Sequence, residues 1–166
     1  MKQSLPDDVR WSLEQCDGYM DLSMWDAATA LLSEIPKEHH GHPAVQTLQL
    51  RNAFHQEDWS SAGSLADRLR RKEPDSVQHW ISLGYALRRT QGIPAARTVL
   101  LEALEKFPDD PILSYNLACY DCVEGHHEAA VQRLTEILER FPDILQLIET
   151  DEDLEEIRNF FDEDGL

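Results

Sequence analysis

The chain has 166 residues, 42% of them hydrophobic, enough for one or at most two domains with a continuous core. Its 32 acidic and 15 basic side chains leave a net charge of -17, which repels a phosphate backbone and an anionic membrane surface alike and argues against nucleic acid and lipid as partners. Three cysteines, Cys16, Cys119 and Cys122, are odd in number and too few for a disulfide framework, which fits a reducing compartment.

In chain order, residues 1–8 form a polar lead without the apolar core of a signal peptide, and no later apolar stretch reaches the roughly 20 residues that span a bilayer, so the expectation is a cytoplasmic protein. Apolar spacing of three and four residues predicts helices at 7–21 and 25–35 around a break at Leu22-Ser23, then 43–56 and 59–73 around Glu57-Asp58. Helices at 76–91 and 94–107 follow, divided by Gly92, and helices at 110–124 and 127–141, divided by Gly125. No strand pattern competes. Asp110 offers a side-chain acceptor before Pro111 at the first helical position, and Asp75 and Asp143 are expected to cap in the same way. Pro74 and Pro108 stop the helices before them. After Pro142, the run Thr150-Asp151-Glu152-Asp153 reads as a helix start, with Leu154, Ile157 and Phe161 on one side and Glu155, Glu156 and Asp162 elsewhere. This predicts a capping helix with one polar face.

A fixed period runs beneath these elements. Ala28, Ala62, Ala96 and Ala130 recur every 34 residues, as do Pro74, Pro108 and Pro142. Trp25, Trp59, Ile93 and His127 precede the alanines by three positions, and Ile35, Leu69, Ala103 and Ile137 follow them by seven. The third copy is the clearest: Trp80, Leu83-Gly84 and Leu87, then Ala96, Leu100, Ala103 and Pro108. It resembles the tetratricopeptide repeat, whose first helix carries an aromatic, a Leu-Gly pair and a tyrosine, and whose second carries an alanine, a phenylalanine and a closing proline. Here Leu87 and Leu100 replace aromatics. The fourth copy keeps Leu117-Ala118, Ala130, Leu134 and Pro142, with Ser114 for the aromatic and Asp121 for the tyrosine. Copies one and two depart on their first helices, where Gln15 and Gln49 take the leucine position and Leu50 the small-residue position.

The resemblance implies an all-α, right-handed α-solenoid of four helix hairpins with a C-terminal capping helix. The repeats fall at 9–42, 43–76, 77–110 and 111–144, between the lead 1–8 and an acidic segment 145–166. Small residues such as Gly84, Ala96, Ala118 and Ala130 suit the closest approach of paired helices, where a bulky side chain costs about 1–3 kcal/mol through overpacking.

Proteins with this repeat bind partners along a concave groove lined by first helices. Carried over by the period, Asp17, Arg51, Tyr85 and Cys119 form one row and Met20, Phe54, Arg88 and Cys122 the next, flanked by Ile81, Arg89, Tyr115 and Asn116. Arg51, Arg88 and Arg89 concentrate cations there in an otherwise acidic chain, so the implied partner is an acidic or amphipathic protein segment. Some of these side chains, Phe54 and Cys122 first, are equally suited to packing between repeats. Relatives that clamp a chaperone's terminal carboxylate place Lys, Asn and Arg where this chain has Leu13, Asp17, Leu48, Gln78 and Ser82; the clamp is absent.

Other features support less. Cys119 and Cys122 near His126 and His127 have metal-like or redox-like spacing, yet Cys119 falls mid-helix, away from the helix N-terminus that stabilises a thiolate, which favours packing. His39, His40 and His42 fall in a polar connection. The run Arg68 to Lys72 ends a helix, where cations oppose the dipole. The acidic residues from Glu149 to Asp164 read as a solvated cap. No nucleophile–base order, phosphate loop or apolar-set carboxylate pair points to an enzyme, and no cofactor or metal is expected. The leading expectation is a scaffold or adaptor that binds protein. A dedicated chaperone of the secretion type is the alternative, a metal or redox module at Cys119 and Cys122 ranks last, and homo-oligomerisation is compatible with all three.

Overall fold

A computed structural model of the protein describes residues 4–161. Among these residues the architecture is all-helical, with α1 (Asp7–Asp21), α2 (Trp25–Glu34), α3 (Pro43–His55), α4 (Trp59–Lys72), α5 (Val77–Gln91), α6 (Ile93–Lys106), α7 (Pro111–Val123), α8 (His127–Leu138) and α9 (Leu145–Thr150). The helices belong to two compact units, Met1–Thr90 and Gln91–Leu166. In the first, α1 packs on α2 and α3 on α4 as antiparallel hairpins; in the second, α7 pairs with α8 and α6 packs on α7.

Local chemistry sets the helix ends. The Asp58 carboxylate accepts from Ser61 N at 3.0 Å, and Asp110 accepts from both Ile112 N and Leu113 N at 3.0 Å, satisfying donors that have no partner within the helix. His42 does the same for α3, its Nδ1 accepting from Ala44 N at 3.2 Å ahead of Pro43. The breaks inside hairpins carry left-handed backbone: Ser23 (φ 58°), Glu57 (φ 54°), Gly92 (φ 88°) and Gly125 (φ 81°). Ser23, Glu57 and Gly125 keep the 34-residue interval, so the turn is part of the repeat even where the residue is not glycine.

The four periodic alanines, Ala28, Ala62, Ala96 and Ala130, are each fully buried. Around them the first hairpin buries Val9, Leu13, Cys16 and Met20 against Leu32, Ile35 and Val45. In the C-terminal unit Leu113, Leu117, Leu134, Ile148, Leu154 and Ile157 close a core with no solvent exposure.

The C-terminal segment differs from expectation in form, though it buries the residues expected. In place of one helix starting at Thr150, a turn of 3-10 helix (Pro142–Ile144) leads into α9, which ends at Thr150, and 3-10 turns follow at Glu152–Leu154 and Arg158–Phe160. The physical reason is Asp151. Its backbone is extended, its side chain accepts from Asp153 N at 3.0 Å, and that local bond competes with helix continuation. Asp143 lies inside the first 3-10 turn and makes no cap bond there. Leu154, Ile157 and Phe161 nonetheless face the core, while Asp162, Glu163 and Asp164 of the acidic run lie outside the described residues.

Candidate partner-binding surface

Five of the expected groove residues, Asp17, Arg51, Tyr85, Arg88 and Arg89, belong to the N-terminal unit. Arg51 on α3 donates through Nη1 to Asp17 Oδ1 at 2.7 Å and through Nη2 to Asp21 Oδ1 at 2.6 Å, both on α1, and its guanidinium lies 6.0 Å from the Trp25 ring. Each ion pair is largely in water and is worth about 0.2–1 kcal/mol; the pair of them fixes the direction of Arg51 more than it stabilises the fold. Trp25 is stacked on its other contact, His55, with ring centroids 4.0 Å apart and planes 8° from parallel.

One repeat further along, the same positions hold different side chains in the same relation. Trp59 stands at the start of α4 as Trp25 does at the start of α2, with Tyr85 in the place of Arg51 and Arg89 in the place of His55. Phe54, Trp59 and Tyr85 form a closed triangle of rings with centroids 5.7 to 6.0 Å apart. The Arg89 guanidinium lies 4.7 Å from the Tyr85 ring and 5.6 Å from the Trp59 ring, and Nη2 donates to the Tyr85 hydroxyl at 2.8 Å. Tyr85 remains 39% exposed, Phe54 and Trp59 are partly exposed and Arg89 is exposed, so the triangle presents apolar area to solvent beside a fixed cation. Arg88, one position earlier, is partly exposed.

Arg51, Tyr85 and Arg89 are among the residues that the repeat pattern predicts for this surface; Trp25 and Trp59, beside whose rings they stand, are not. The signal was available: Trp25 and Trp59 are 34 residues apart, as are His55 and Arg89.

Tyr115, Asn116 and Cys119 lie on α7 of the C-terminal unit, in different surroundings. Tyr115 and Cys119 are buried beneath the C-terminal segment: the tyrosine hydroxyl donates to Asp151 Oδ2 at 2.6 Å and the Cys119 thiol to the same oxygen at 3.6 Å. Burial, and next to it the Asp151 carboxylate, push both the phenol and the Cys119 thiol well above their usual ranges. Burial and then Glu156 raise the Cys122 thiol in the same direction. These thiols are held protonated, the opposite of what redox chemistry requires. Asn116 donates to the Ile112 carbonyl of its own helix at 2.7 Å. Asp153 falls 34 residues after Cys119, so the C-terminal segment continues the row by one more step and covers the end of it.

Cys119, Asp151 and Asp153 bring candidate ligand atoms within 4.8 Å of one another, whereas His127 pairs with Glu156 at 3.0 Å. The Asp151 carboxylate is already served by two donors and by Asp153 N, as a joint between helix and cap requires. The histidine run 39–42 has backbone duties at His40, which bonds the Ile35 carbonyl at 2.9 Å, and at His42. In the basic run, Arg70 and Arg71 pair with Asp67, and Lys72 reaches Gly41 O and Gln46.

Asp121, at the tyrosine position of the fourth copy, is buried and accepts from Arg97 Nη1 at 2.6 Å and Arg133 Nε at 3.3 Å, while Arg97 also pairs with Glu124 at 2.6 Å. This network ties α6, α7 and α8 together.

Residues 47–111 match the family model of the tetratricopeptide repeat. No curated protein matches the chain. Among solved structures, one titled "MamA RS-1 ArsTM double mutant" superposes with a TM-score of 0.70 at 12% identity, over 89% of this chain and 80% of that one. At that identity the likeness is one of fold. No helix among the described residues is long and apolar enough to cross a membrane.

Proposed function

We propose that this chain, a tetratricopeptide-repeat protein and as such a protein-interaction scaffold, binds a peptide or protein segment on the first-helix surface of its N-terminal unit. The observation that carries the reading is the Phe54–Trp59–Tyr85 triangle with Arg89 stacked upon it. Aromatic residues and arginine are enriched at the centres of protein interfaces, the rings because they offer large rigid area at low entropic cost and arginine because its planar fork stacks on rings and reads carboxylates. A cluster of this composition left partly in water suits a partner better than it suits the fold alone.

On this reading Asp17, Arg51, Tyr85, Arg88 and Arg89 form the binding row, and Tyr115, Asn116 and Cys119 serve the closure of the last repeat. The repeat divisions at 9–42, 43–76, 77–110 and 111–144, a cytoplasmic location and a role without catalysis complete the proposal. The test is capture from source lysate by the full chain beside Tyr85→Ala/Arg89→Gln, with Arg140→Ala as the control; Arg140 pairs with Asp109 in the other unit. A partner retained by wild type and control and lost by the double variant supports the surface. Equal capture by all three refutes it.

A further inference from the structure

We infer that the N-terminal unit's surface selects a segment of mixed charge, bringing a carboxylate to Arg89 and a cation to Asp17 and Asp21, in place of a uniformly acidic one; this rests on the reading of that surface as the partner site. The cations counted in the sequence are not equivalent in three dimensions. Arg51 spends one guanidinium nitrogen on each of two aspartates, so that end of the surface carries two negative charges against one positive. Asp17 and Asp21 are 55% and 66% exposed at their side chains, and each gives only Oδ1 to Arg51, leaving the second oxygen open to an incoming donor.

Arg89 presents the opposite case. Among the described residues it pairs with no carboxylate: its contacts are the Tyr85 hydroxyl and the faces of Tyr85 and Trp59. Stacking leaves most of its five N–H donors unserved while holding the fork in one orientation, the preorganised state in which a guanidinium reads a carboxylate. In a chain of net charge -17, an arginine kept over aromatic rings without a counter-charge stands out as a vacant anion anchor. Between the two ends, the ring triangle provides apolar area for an uncharged side chain. The sequence along the surface is therefore acidic, aromatic, cationic, and electrostatic complementarity demands the reverse order in the partner.

Four labelled synthetic peptides sharing one apolar centre test this against the full chain by fluorescence anisotropy: acidic at both ends, basic at both ends, and the two mixed orders. One mixed peptide is expected to bind about fivefold or more tightly than either uniform one, the gain of one or two half-exposed charge pairs. Arg89→Gln should erase its advantage over the basic peptide, and Asp17→Asn/Asp21→Asn its advantage over the acidic one, with circular dichroism unchanged in both. An acidic peptide that binds as well as the mixed ones, or a preference over the basic peptide that survives Arg89→Gln, overturns the inference. Binding blind to charge sinks this inference alone, whereas no binding by any of the four sinks the surface itself as a peptide site.

Discussion

Replacing Asp121 by asparagine keeps the shape of the side chain and removes the charge that joins α6, α7 and α8. Asp121 is 6% exposed and receives both Arg97 and Arg133, whose side chains are 23% and 31% exposed. Breaking a buried ion pair from one side costs about 3–5 kcal/mol when the orphaned charge stays dry. Here Arg97 keeps Glu124 and both arginines reach some water, so the expected loss is smaller, about 2–3 kcal/mol. With a urea slope of about 1–3 kcal/mol/M for a domain of this size, the midpoint should fall by about 1–2 M. All four tryptophans, Trp11, Trp25, Trp59 and Trp80, lie in the N-terminal unit, so circular dichroism follows both units while indole fluorescence follows the first. The loss should register in circular dichroism, and Arg97→Ala should cost a similar amount. The double variant should cost less than the sum by about 1 kcal/mol or more, as residues of one network do. A loss under about 1 kcal/mol for Asp121→Asn, or strict additivity in the double variant, would refute the view that this carboxylate organises the unit.

Three other outcomes follow from local geometry. Glu57→Gly and Ser23→Gly, both at left-handed turns, should each raise stability by about 0.5–1 kcal/mol in urea unfolding, and unchanged or lower midpoints would count against strain at those turns. Gly18→Ala and Gly63→Ala should each add about 0.5–1 kcal/mol, since both glycines sit inside helices, nothing lies within 4 Å of a Cβ at Gly18, and at Gly63 the nearest atom is Ala86 Cβ at an ordinary 3.5 Å. The Tyr115 phenol and Cys119 thiol have folded-state pKa values raised above their ordinary 10.0 and 9.0, so the folded state holds those protons more tightly than the unfolded one. Their stabilisation is fully present below about pH 9 and is lost progressively as pH rises above it. Thermal unfolding between pH 8 and 11 should show that decline, and Tyr115→Phe/Cys119→Ala should flatten it; an identical slope in the variant would refute the assignment.

Much of the fold was legible because the signals that start and stop helices are local. Asp110-Pro111 predicts the start of α7 to within a residue, and the 34-residue interval finds all four buried alanines without knowledge of their neighbours. Legibility fails where a side chain has two local options. Asp143 and Asp151 are both acids near helix ends, and only the backbone shows that Asp151 caps a turn while Asp143 sits within one. Asp121 was visible as a departure from the repeat, but its arginines come from positions 24 residues before and 12 after, a pairing no spacing rule predicts. The division of the chain at Thr90, inside the copy whose motif is clearest, has no mark in the 34-residue pattern either.

The row Asp17, Arg51, Tyr85, Cys119 and Asp153 holds one periodic slot whose fate differs along the chain with what stands next to it. In the N-terminal unit a tryptophan opens the second helix of each hairpin, its ring stands beside the first-helix residue that follows in the period, and Arg51 and Tyr85 meet solvent. Ile93 takes that place in the third copy, without a planar face on which Cys119 or Val123 could stack. There the slot is closed over by the acidic segment, with Tyr115 and Cys119 donating inward to Asp151. An open slot and a closed-over slot are thus alternative uses of the same repeat geometry. A tryptophan three residues before the periodic alanine accompanies the open slot, so on the proposed reading of that surface Trp59→Ile should weaken capture of the partner while leaving the C-terminal closure intact.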